Sequence, residues 1–84
     1  MALPVDPERL RRQFPSLDDG DLGAFAEVTR RILADPMARG RVLAEVMSAA
    51  ARASEKQAGG VELEPDERTA LAYVAALRKM QSRA

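Results

Sequence analysis

The stretch PMARGRVLAEVMSAAARASEK, residues 36–56, decides how the rest of the chain is read. At about 100° per residue, Arg41, Glu45, Ser48, Arg52, Glu55 and Lys56 fall within roughly 100° of arc. Val42, Leu43, Val46, Met47, Ala49, Ala50, Ala51 and Ala53 spread over roughly 200° of the remainder. A surface helix of a small domain needs an apolar stripe of only about 100° or a little more. The pattern therefore predicts a helix with neighbours on two or three sides, drawn from its own chain or from another molecule.

Outward from this segment, three more helices are predicted. Asp6 and Pro7 form a cap-then-proline start, with Val5 and Leu10 at the positions of a hydrophobic staple. That first helix must end before Pro15, which disfavours helix in the preceding residue. Asp18 opens the second, with Asp21 three residues on and Leu17 and Leu22 as its staple. Leu22, Phe25, Val28, Thr29, Ile32 and Leu33 then recur at helical spacing. Asp35-Pro36 repeats the start signal, so the second and third helices should meet at a sharp corner. Gly59-Gly60 breaks the third helix, residues 61–64 form an extended link, and Pro65 begins the fourth. The expected fold is all-α: a single domain over residues 1–84, as a small four-helix bundle with helices at about 6–14, 18–34, 36–56 and 65–82. One short N-terminal helix precedes three longer ones, the third central. Phe25, Ile32, Leu43, Val46, Val74 and Leu77 should form its core, and helical spacing places Met47 and Met80 there as well.

Acidic residues gather at helix starts and basic residues at helix ends, which complements the helix dipole at about 0.3–1 kcal/mol per well-placed charge. This arrangement explains Asp18, Asp19 and Asp21 as capping groups; the longer ligand series of a calcium loop does not follow them. Glu62, Glu64, Asp66 and Glu67 read in the same way, as a solvated helix start with no nucleophile-and-base pair beside it. The chain has no cysteine and no histidine, which removes thiolate chemistry and the side chain that titrates near neutrality. No catalytic, cofactor-binding or metal-binding residues, no cofactor and no small-molecule substrate are expected.

Basic pairs at Arg11-Arg12, Arg30-Arg31 and Arg78-Lys79 offer an alternative, a helical nucleic-acid binder using its arginine pairs. Thirteen basic residues balance thirteen acidic ones, and that neutrality weighs against strong attraction to polyanions. The N-terminal residues lack a basic stretch followed by an apolar run, and no apolar run approaches the ~20 residues that span a bilayer. A cytoplasmic protein is expected, without a membrane span. The richness in alanine and arginine over lysine is that of GC-rich bacterial genomes.

Leu63-Glu64-Pro65-Asp66-Glu67, followed by Leu71, Tyr73-Val74 and Leu77, resembles the last helix of class I c-type cytochromes. The resemblance is confined to this one capped helix. The Cys-x-x-Cys-His of that family is missing, so covalent haem is excluded and none of its activity is carried over.

Composition and pattern together point to a non-catalytic protein–protein interaction module, an accessory subunit or a self-associating helical protein. Small domains gain little net stability from folding alone, which favours a partner, either another protein or a second copy in a homo-oligomer. The apolar face expected to make that contact is Met37, Val42, Ala49 and Ala53, on one side of the third helix.

Overall fold

A computed structural model describes residues 7–81. Four α-helices are present, α1 (Pro7–Gln13), α2 (Asp19–Ala34), α3 (Arg39–Ala58) and α4 (Pro65–Gln81), and the described residues contain no strand. Asp6 and Val5, the expected cap and staple of α1, lie outside the described residues.

The local signals operate largely as the side chains dictate. At α2, Asp18 Oδ1 accepts the Asp21 amide at 2.8 Å, and the Asp18 amide donates back to Asp21 Oδ2 at 3.1 Å. This reciprocal pair is a complete capping box. At the other end of α3, Gly60 takes φ +72°, and its amide donates to the Gln57 carbonyl while that of Val61 donates to the Lys56 carbonyl at 2.8 Å. A left-handed glycine with these two bonds is a Schellman termination, which frees the chain to reverse into α4.

The corner between α2 and α3 departs from expectation. Residues Pro36–Ala38 form a 3-10 turn, and α3 begins at Arg39. The Asp35 side chain makes no capping bond; its backbone carbonyl accepts the Ala38 amide at 3.0 Å instead. Proline followed by this tight turn rotates α3 away from α2, and the two helices make little direct contact.

That rotation corrects the expected topology, because α4 is the central helix and α3 lies at its side. α4 packs extensively on both α2 and α3, which meet each other far less. The cause is the small side chains of α4. Ala70 and Ala76 are fully buried, and Ala72 packs against the core beside them. Helices can approach closely where only alanine intervenes. The molecule is accordingly flat, 22 Å in its shortest dimension, about two helix diameters.

Two apolar clusters hold the layers together. The larger joins Ala24 and Val28 of α2, Val42, Val46, Ala49 and Ala50 of α3, and Ala70 and Tyr73 of α4. Phe25, Ile32, Leu43, Val74 and Leu77 pack around it half-buried, so with Val46 inside it six of the eight expected core residues belong to this cluster. Phe25 stacks on Tyr73 with ring centroids 5.9 Å apart. The smaller cluster places Leu10 and Phe14 against Leu17, Leu22, Ala76 and Met80, and it docks α1 on the end of the α2–α4 pair.

A candidate protein-binding groove

Two buried carboxylates set the register of the three long helices. Glu67, in the first turn of α4, is 1% exposed, where a solvated acid was expected. Its Oε1 accepts from Lys56 Nζ at 2.7 Å and from the Glu64 amide at 2.8 Å, and Arg52 Nε lies 3.5 Å from Oε2. Lys56 occupies the last turn of α3, so the pair fixes α3 and α4 antiparallel. The Lys56 hydrogen bond, reinforced by the Glu64 amide, outweighs the cost of burial and holds the Glu67 carboxyl below the usual carboxylate range.

Asp21 repeats the device one helix over. It is 5% exposed and accepts a short hydrogen bond from Lys79 in the last turn of α4, which fixes α2 and α4 antiparallel. Burial pushes its carboxyl up, but the Lys79 hydrogen bond, the Asp18 amide and the lysine charge prevail and draw it down. The same hydrogen bond raises Lys79 above the ordinary lysine range. In both clamps a first-turn acid meets a last-turn lysine, the placement that both helix dipoles favour.

The remaining charges are engaged mostly at the surface. Arg11 pairs with Asp19, Arg30 with Glu27, Arg31 with Glu45 at 3.6 Å and Arg68 with Glu62 at 3.7 Å. Each of the three basic pairs singled out in the sequence thus has at least one member committed to a carboxylate. Among the described residues no group of three or more potential ligands converges on a common metal position, and no helix is long and apolar enough to cross a membrane.

The four residues expected to form an interface separate. Val42, Ala49 and Ala53 are buried inside the chain, Ala53 completely, so they do not form an exposed contact surface. Their side of α3 is the one that α2 and α4 cover. Met37 stands at the corner turn, 95% exposed, and shares no face with the other three. Met47, expected in the core, is 54% exposed.

This redistribution has a simple geometric origin. The apolar arc of α3 is as wide as its sequence indicates, but the core occupies only part of it. Val42, Val46, Ala49, Ala50 and Ala53 are buried, whereas Ala44, Met47 and Ala51 face solvent. Of these, Met47 and Ala51 adjoin the outer stripe of α4, and together they form a groove of about 300 Å³. Met47, Leu71 and Val74 line it together with Ala50, Ala51 and Ala75. Ser54 and Gln57 stand among its α3 residues, and Arg78 closes the end formed by the last turn of α4. No acid lines it. A second cleft lies among α2, α3 and α4, where Glu27, Arg31, Glu45 and Asp66 line it together with Val28, Val46, Ala49 and Ala70. The spacing of Met47 and Ala51 with Leu71 and Ala75 was visible in the sequence. What it lacked was the pairing of α3 with α4 that sets those two stripes side by side.

Compared with protein-family models, with curated proteins and with solved structures, the chain matches none of them.

Proposed function

We propose that this protein is a non-catalytic interaction module that binds another polypeptide through the α3–α4 groove. The observation that carries the reading is the uncovered part of the α3 apolar arc, Met47 and Ala51, continuous with Leu71, Val74 and Ala75 of α4. Water gains nothing from that surface, and burying it recovers about 25 cal/mol per Å² before the costs of association. The residues earlier assigned to the contact move accordingly, from Val42, Ala49 and Ala53 to Met47, Ala51 and Leu71. The two buried carboxylates fit the non-catalytic part of the reading, since lysines that join helices occupy both.

A photo-reactive amino acid at position 51, in the producing cells, tests the proposal. A discrete protein adduct is expected, absent when the probe sits at position 62 and lost when Met47→Glu is added. No adduct at position 51, or one that persists with Met47→Glu, overturns it.

A further inference from the structure

The α4 helix carries the same docking stripe twice. Toward α2 it presents Ala72, Ala76 and Lys79: Ala72 packs against the cluster that contains Ala24, Ala76 packs with Leu17 and Leu22, and Lys79 binds Asp21. One residue earlier in each case stand Leu71, Ala75 and Arg78, which line the groove. The second stripe is the first rotated by about 100° around the helix. Each reads apolar, alanine, cation at spacings of four and three, and each ends in the last turn of α4. The first is filled by a helix that runs antiparallel to α4, with an acid in its opening turn on the cation. No helix of the described residues covers the second, and no carboxylate among them pairs with Arg78.

We propose that the groove accepts an amphipathic helix of a partner protein, antiparallel to α4, whose first turn carries an aspartate or glutamate that pairs with Arg78. This rests on the groove being the binding surface and adds what binds there. α2 supplies the internal precedent for direction, for the acid and for its position. The positive end of the incoming helix dipole then lies against the negative end of α4, as it does for α2. Met47, flexible and half-exposed, lines the α3 side and adapts to the apolar side chains that enter.

The test is a displayed library of randomised 17-residue helices selected on the full chain, with recovered sequences measured against wild type, Met47→Glu and Arg78→Glu. Both substitutions are at exposed positions, and thermal unfolding confirms that each variant folds. Recovered helices should carry Asp or Glu in the first turn, lose binding on Met47→Glu, and weaken on the order of tenfold on Arg78→Glu. Exchanging the helix acid for lysine should restore binding to Arg78→Glu. Helices that lose binding on Met47→Glu but ignore Arg78→Glu overturn the acidic partner and leave the groove standing. Helices indifferent to Met47→Glu overturn both. A concentration-dependent dimer abolished by Met47→Glu and untouched by Arg78→Glu assigns the groove to a second copy and overturns the acidic helix.

Discussion

Glu67 and Lys56 meet at 2.7 Å across the turn that joins α3 to α4, with the glutamate in the first turn of one helix and the lysine in the last turn of the other. Asp21 and Lys79 stand in the same relation between α2 and α4. Two acid–lysine clamps of one design therefore hold both neighbours to the central helix. Each also completes a helix start, so the group that begins a helix is the group that fixes its partner.

Removing the Glu67 carboxylate should cost more than an ordinary surface substitution. Glu67→Ala leaves the Lys56 ammonium and the Glu64 amide without their acceptor. A loss of Tm on the order of 10 °C is expected, allowing for the part of Lys56 that water reaches. Glu67→Gln keeps an acceptor for the amide and should fall between that variant and wild type. In a thermal-unfolding cycle with Lys56→Met, the double variant should lose less than the sum of the two single losses. Strict additivity would show that the pair contributes nothing to stability.

Stability should decline at both ends of the pH range. Asp21 and Glu67 have folded-state carboxyls below their unfolded values, so their contribution is present above about pH 4 and is lost as pH falls through the lower folded values. Lys79 and Tyr73 shift upward, the first through its hydrogen bond to Asp21 and the second through burial. Their contribution is full below about pH 10 and disappears as pH rises above it. Urea midpoints across pH should form a plateau with two falling limbs. Asp21→Asn should flatten the acid limb, and an unchanged acid limb would exclude the clamp as its source.

The alanines of α3 divide into two classes that substitution distinguishes. Ala53 is completely buried, and Ala51, two residues away, faces the groove. Ala53→Leu forces extra volume into packed helices and should destabilise by about 1–3 kcal/mol. Ala51→Leu should change stability by no more than about 0.5 kcal/mol. It should instead alter binding at the groove, read as a change in the affinity of selected helices. Equal destabilisation by both would return Ala51 to the core.

The features legible in the sequence were those decided within four or five residues. The Asp18–Asp21 box, the Gly59-Gly60 termination and the proline start of α4 each follow from local backbone chemistry. The identity of the central helix did not, because it depends on how closely helices approach. The wide apolar arc of α3 consists largely of alanine, whose small area tolerates water, so its width overstated its burial. α4 carries the unbroken apolar run 70–77, and within it Ala70, Ala72 and Ala76 let neighbours close on two sides. The burial of Glu67 was equally hidden, since its partner lies 11 residues away on another helix. For Asp21 the separation is 58 residues.

Two glycines should respond oppositely to the same change. Gly60 holds φ +72° at the end of α3, a conformation that an L side chain resists. Gly60→Ala should destabilise by roughly 1–2 kcal/mol even though no atom crowds the new methyl, because the backbone alone bears the strain. Gly23 sits inside α2 with helical geometry and open space where a Cβ would stand. Gly23→Ala removes backbone freedom from the unfolded chain and improves helix propensity, so a gain of about 0.5–1 kcal/mol is expected. Both values are read from chemical denaturation at constant slope. A gain at position 60 would show that the Schellman termination does not hold in solution, and the α3–α4 reversal that places Lys56 on Glu67 would need another cause.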